Sequence, residues 1–519
     1  MVEHTVNYFM WSYQDSFCRN AEFEAERLLS RLEPQFHEFK PKVYLVGRQI
    51  ESRAGSHPIC TAPDECPYQP GAFAGLDELA AELEAADPDN NAFHTNPLAQ
   101  EKTARSMKLR ALRAAVMRKI EAKTDNEAIL TMLSGPTQVG NYLVIFVLQI
   151  SRSIYDSHYS LTRDYVKEQT TVAFRIAPSL LNAVIDEYLN VCATFLHQPN
   201  PGDGFKIIEE DEELLRRAAK QLMYGPAWAG GNFDGLHGLF EACNAISTLK
   251  YEGKEGVGRL VFARPDHPAI RTDLELVSPV PLRDYGAVRK LLQLATADQC
   301  LLCDSEAIYG VGAVLDSYDP DDENLFVIRF TKNFMWDLFH AGEPMLYMRY
   351  GEPSACIPGF PSERFLRDLA RVFVGITQSQ SERLCALAHT VAALPHGAML
   401  VVSSTAPAEA ERLANQATRI CPVPMTKSMI PRTTSIDGAV LVDLDGICHG
   451  IGVILDGAAH RRCSSSRGAR YNSAVRYAYG RTDCMVVVKS EDGMVNLFPE
   501  LRPQISRTEE MNDSYFFEG

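Results

Sequence analysis

Apolar residues recur at helical spacing over residues 19–33, and an apolar run at 42–47 then predicts a strand. A Pro/Cys/Gly-rich stretch at 52–75 reads as loop, 98–123 as a basic helix, and 141–154 as strand. Helical periodicity returns at 178–197 and 211–223, with a Pro- and Gly-rich turn at 199–204 between them. Further on, 258–262 is a predicted strand, 285–294 a helix, and 300–304 with 308–315 a hairpin. In the last third, helices at 363–374 and 379–394 precede a strand at 399–402 and a helix at 408–416. A hairpin (437–443 with 447–455), a helix at 468–479 and strands at 484–488 and 495–498 complete the pattern. Mixed helices and hairpins predict an α/β (mixed α+β) fold: a C-terminal mixed β-sheet flanked by helices, behind further α/β domains.

These elements divide the chain into a sensor or regulatory region (1–245), an intermediate α/β domain (246–360), a C-terminal domain (361–500) and an acidic flexible tail (501–519). Leu301-Leu302-Cys303-Asp304, Gly310-Val311-Gly312 and Leu315-Asp316 echo Leu441-Val442-Asp443, Gly450-Ile451-Gly452 and Leu455-Asp456. The echo suggests that the intermediate domain is a degenerate copy or a partner of the C-terminal sheet, although two unrelated hairpins could also produce it.

Composition narrows the chemistry. With 51 Lys+Arg against 67 Asp+Glu, the net charge is −16, which disfavours a nucleic-acid polymer or an anionic membrane as partner. The longest apolar run, 142–148, is far shorter than a membrane helix of ~20 residues. Thirteen cysteines without a regular framework suit a reducing, cytoplasmic setting. His57, Cys60 and Cys66 lack a zinc spacing and read as loop residues, and Cys300 and Cys303 read as core residues of a strand.

One segment reverses the charge. Residues 457–482 contain six arginines (461, 462, 467, 470, 476 and 481) and neither Asp nor Glu. Within it, Arg467-Gly468-Ala469-Arg470-Tyr471-Asn472-Ser473 leads into a helix. Helix-terminal amides, a glycine permitting close approach and planar guanidinium donors together suit an anion such as a triphosphate. A serine-capped basic loop is the plainer alternative. Asp437-Gly438-Ala439 before the segment and Ser490-Glu491-Asp492-Gly493 after it each read alone as ordinary turns. Together they could offer carboxylates to a divalent cation beside phosphate.

The order of these motifs over roughly 360–500 resembles the diadenylate cyclase domain family. The resemblance implies that two ATP molecules are joined into cyclic di-AMP with Mg²⁺ or Mn²⁺, and that the chain self-associates so that two sites face each other. It gives Asp437 the role of binding metal and activating the ribose 3′-hydroxyl, with Glu491 as a second metal contact. Gly438 and Ala439 would lie against the nucleotide, and Ser490 would accompany Glu491. The family's triphosphate motif, Gly-Thr-Arg-His-Arg, stands here as Gly468-Ala469-Arg470-Tyr471-Asn472. Gly468 and Arg470 are kept, while the threonine, the histidine and the second arginine are not. Arg467, Asn472 and Ser473 are candidate replacements. The rival reading is a degenerate module that binds nucleotide as a sensor without turnover.

Overall fold

The computed structural model describes residues 9–501 apart from 53–56, 92–94, 163–164, 168–172, 204–210, 232–237, 297, 356–359, 395, 464–467 and 491–493. The chain forms two compact units, Met1–Cys356 and Ile357–Gly519. Both are mixed α/β.

In the first unit, one antiparallel sheet runs in the order Ile59–Ala62, Lys42–Gln49, Tyr142–Ser151, Ile129–Leu133, with Thr137–Val139 also on the third strand. Alternation along these strands sends Val43, Leu45, Val144 and Phe146 to a core under helices Gln14–Leu32, Leu180–Phe195 and Asp211–Leu222. Val46, Ile145 and Val147 face the other way, onto Leu112, Ala115 and Val116 of the basic helix Pro97–Glu121. The segment expected to be loop at 52–75 thus supplies a strand, Ile59–Ala62, and the strand expected over 141–154 ends at Ser151 in a short helix, Arg152–Asp156. A second, eight-stranded sheet runs Glu352–Ser354, Glu343–Arg349, Met335–His340, Phe326–Lys332, Gly258–Phe262, Cys300–Cys303, Ala307–Val314, Ile270–Pro281.

The second unit carries the reversed charge. Its helices are α1 (Ser362–Val372), α2 (Gln378–Ala392), α3 (Ala406–Arg412), α4 (Ile430–Thr433) and α5 (Ala469–Tyr479). Its strands are β1 (Ala398–Ser403), β2 (Thr418–Pro424), β3 (Ala439–Val442), β4 (Ile447–Val453), β5 (Cys484–Lys489) and β6 (Val495–Phe498), in the order β2-β4-β3-β1-β5-β6. β1 is parallel to β3, and every other pair is antiparallel.

β1 and β5 are buried along their whole length, which explains their apolar runs 398–402 and 484–488. Leu400, Val402, Val440 and Val487 pack against Leu384, Leu387 and Val391 of α2 on one face. Met399, Val401, Leu441 and Val486 pack against α3 and α5 (Ala410, Ala474, Val475 and Ala478) on the other. α2 starts at a reciprocal cap between Thr377 and Gln380. β2 is an edge strand, the position at which its two prolines can be tolerated.

Candidate functional site

The site grows from one end of the second unit's sheet. Asp437 and Gly438 lie immediately before β3. Gly438 has φ +111°, and a Cβ there would stand 2.5 Å from the Gly452 carbonyl carbon, so only glycine fits without strain. Gly452, in β4, has φ +61° and sits against Ile436 and the Asp437 carbonyl. These two glycines let the hairpin close tightly under Asp437, whose side chain is 92% exposed. Ala439 is fully buried as the first residue of β3.

Gly468 is the N-cap of α5 and, as a glycine, brings no side-chain oxygen to cap the first turn. No acidic residue lies in that turn. Ala469 opens the helix, and Arg470 reaches back so that its guanidinium donates to Asp437 Oδ1 at 3.0 Å, an oxygen that also accepts from the Gly438 amide at 3.1 Å. The ion pair therefore joins the two motifs that 33 residues separate in sequence. At this exposure it is worth only about 0–1 kcal/mol. It positions the groups rather than stabilising the fold. Arg470 Nε is shielded from solvent and has no hydrogen-bond partner among the described residues. A shielded guanidinium donor without a partner, at the positive end of a helix, is suited to an anion.

Other predicted positions have different partners. Tyr471 turns its ring edge-on to Phe498, with centroids 5.1 Å apart. Asn472 closes the first helical turn on the Gly468 carbonyl, and Ser473 donates to the Arg470 carbonyl. Ser490 follows β5, and its amide closes the turn onto Met494. Lys489 pairs with Ala398, while Leu400 two residues on pairs with Val440, so Ser490 leaves the same end of the sheet as Asp437. Arg467 and Glu491 lie outside the described residues, as do residues 502–519 of the acidic tail.

The sequence grouped all six arginines together, but the structure divides them. Arg462 binds Glu500 and Tyr479. Arg481 belongs to a network beneath the site that sequence reasoning missed, centred on buried Glu409 of α3. Glu409 accepts from Arg412, Arg481 and the Tyr477 hydroxyl. Arg412 also holds Asp456, and Arg481 also holds Asp483. Burial opposes ionisation of Glu409, yet the bonds from Arg412 and Tyr477 and the nearby Arg481 charge leave it below the ordinary carboxylate range. Burial raises the Tyr477 hydroxyl far above its usual value. The visible signal was an acid on the otherwise apolar face of α3.

For a divalent cation, Asp437 is a fitting donor: it is exposed, and its Oδ2 has no partner among the described residues. Among those residues no group of three His, Cys, Asp or Glu is gathered that could hold a metal ion by itself. No helix among them is long and apolar enough to cross a membrane.

Comparison with known proteins gives three family matches. Residues 10–223 match a probable sensor domain, DACNG; residues 237–342 match a probable sensor domain, DACNH; residues 387–501 match the DAC family, described as DisA bacterial checkpoint controller nucleotide-binding. No curated protein matches the chain. Solved structures similar to part of the chain include two of interest. One is a double mutant of DacA from Staphylococcus aureus, at 16% identity, 23% of this chain, 81% of that chain and TM-score 0.20. The other is described as a hypothetical membrane spanning protein from Bacillus cereus, at 19% identity, 26% of this chain, 67% of that chain and TM-score 0.22. The chain therefore carries a C-terminal domain of the diadenylate cyclase (DAC) family, preceded by two probable sensor domains.

Proposed function

We infer that the second unit condenses two ATP molecules into cyclic di-AMP, under control of the preceding sensor domains. The observation that carries this reading is the contact of Arg470, in the first turn of α5, with Asp437 at the head of β3. The α5 amides and Arg470 would hold the triphosphate, and Gly438 and Ala439 would lie under the nucleoside. Asp437, with Glu491 in the resembling position, would hold Mg²⁺ or Mn²⁺, which supplies charge neutralisation at phosphate.

The 3′-oxygen of each ATP forms a bond to the α-phosphorus of the other. The bond from that phosphorus to the bridging oxygen breaks, and pyrophosphate leaves with the electron pair. The hydroxyl proton passes to Asp437 and then to solvent. Two ATP thus give one cyclic di-AMP and two pyrophosphates. Each chain has one such site, so turnover requires two chains face to face. Catalysis is mainly positioning and electrostatics.

A nucleotide sensor without turnover is the second reading. The observation favouring it is Tyr471, whose ring packs on Phe498 where the family has an imidazole. Incubating the self-associated chain with ATP and Mn²⁺ and resolving the products by mass decides between them. Cyclic di-AMP supports the enzyme. Bound but unconverted ATP supports the sensor, and neither binding nor product rejects both.

A further inference from the structure

Six strands of the first unit's eight-stranded sheet repeat the topology of the second unit's six-stranded sheet. In chain order, Gly258–Phe262, Ile270–Pro281, Cys300–Cys303, Ala307–Val314, Phe326–Lys332 and Met335–His340 take the places of β1 to β6. Spatial order is the same in both, with two further strands beyond the sixth in the first unit. Directions also agree: the first and third strands are parallel and the other neighbours antiparallel.

Connection rules leave few topologies, so shared order alone would be weak. Register adds much more. Leu302 pairs with Val261 on one side and Gly310 on the other; Leu441 pairs with Val401 and Gly450. Cys303 pairs with Ile308 as Val442 pairs with Cys448. Asp304 takes the amides of Glu306 and Ala307 on one carboxylate oxygen, and Asp443 does the same with Asp445 and Ile447. The edge strands end in the same tripeptide, Pro279-Val280-Pro281 and Pro422-Val423-Pro424, and Val280 pairs with Ile308 as Val423 pairs with Cys448. The amide after each tripeptide, on Leu282 and Met425, donates into the same hairpin turn.

This register sets Asp298-Gln299-Cys300 opposite Asp437-Gly438-Ala439, with the strand beginning at the third residue in both. The fourth-to-fifth connection differs. Residues 454–483 hold the six arginines and α5; residues 315–325 hold five carboxylates, no lysine or arginine, and a 3₁₀ turn at Pro320–Asp322. Where one sheet offers amides and guanidinium to phosphate, the other offers negative charge.

We propose that residues 258–340 are a second copy of the cyclase fold that has lost the phosphate-binding insert, so that the chain carries two such sheets and one nucleotide site. The duplication stands on strand order, direction and register; the single site rests on the reading of α5 proposed above. Calorimetry of the full chain with a non-hydrolysable ATP analogue and Mn²⁺ tests it. The expected result is one nucleotide per chain, lost in Arg470→Glu and unchanged in Asp298→Asn. Two nucleotides per chain, or binding that survives Arg470→Glu and vanishes in Asp298→Asn, overturns it. If the chain binds no nucleotide, the proposed function fails, and an experimentally determined structure then decides the duplication. Strands in the same order, direction and register, with Asp298 in the place of Asp437, uphold it, and a different order, direction or register refutes it.

Discussion

Asp437 shows how a residue can matter to chemistry and not to folding. It is 92% exposed, and its partner Arg470 is held by the start of α5. Asp437→Asn keeps the hydrogen bond to the Gly438 amide and removes the charge. Steady-state turnover should fall by roughly 10²–10⁴-fold, as for loss of a general base. The melting temperature should stay unchanged, and a fall in it would mean that the residue is structural. Gly438 is the opposite case. At φ +111°, with Gly452 behind it, Gly438→Ala forces the hairpin apart. A cost of about 1–3 kcal/mol is expected in denaturant unfolding, together with loss of activity. An unaffected variant would show that the tight hairpin is dispensable.

At the scale of the element, α5 is fixed from beneath rather than from its ligand end. Tyr477 ties its last turns to Glu409 of α3, and Arg481 ties the segment after it to the same carboxylate. Glu409→Ala leaves two guanidinium groups and a buried hydroxyl without their shared acceptor. A loss of about 1.5–3 kcal/mol is expected from one charged hydrogen bond alone. Chemical denaturation of the variant checks this, and a loss near zero would remove the network from the account.

The helices and central strands of the second unit were legible in the sequence because their apolar patterns are long and face a core. β2 was not: its residues are mostly exposed and it carries two prolines, a pattern that argues against a strand except at an edge. The long edge strand Ile270–Pro281 was missed for the same reason. At the site, the meeting of Asp437 with Arg470 follows the expected motif order, but the division of the arginines was hidden. Composition records their charge, and only packing shows that Glu500 and Glu409 already hold Arg462 and Arg481.

Across the whole molecule, the two units should respond to acid in different windows. In the first, burial lowers the affinity of His340 and His158 for a proton. Folded values below the unfolded value near 6.5 mean that their contribution is complete above about pH 6.5 and is lost as pH falls through the folded values. In the second, Glu409, Asp456 and Asp483 all lie below their ordinary values. Their contribution holds above the unfolded carboxylate range, near pH 4.5 and below, and is lost as pH falls through the folded values. The three tryptophans, Trp11, Trp228 and Trp336, all belong to the first unit. Tryptophan emission should therefore change before the remaining circular dichroism is lost. Coincident transitions would contradict the assignment. Self-association makes a further demand: turnover per chain should fall on dilution, and a constant value would exclude a site shared between chains.

The most direct measurement is an experimental structure of the chain with a non-hydrolysable ATP analogue and Mn²⁺. Triphosphate oxygens are expected on Arg470 and the first amides of α5, with the cation on Asp437. Nucleotide bound elsewhere, with the Arg470–Asp437 pair undisturbed and α5 bare, would contradict this expectation.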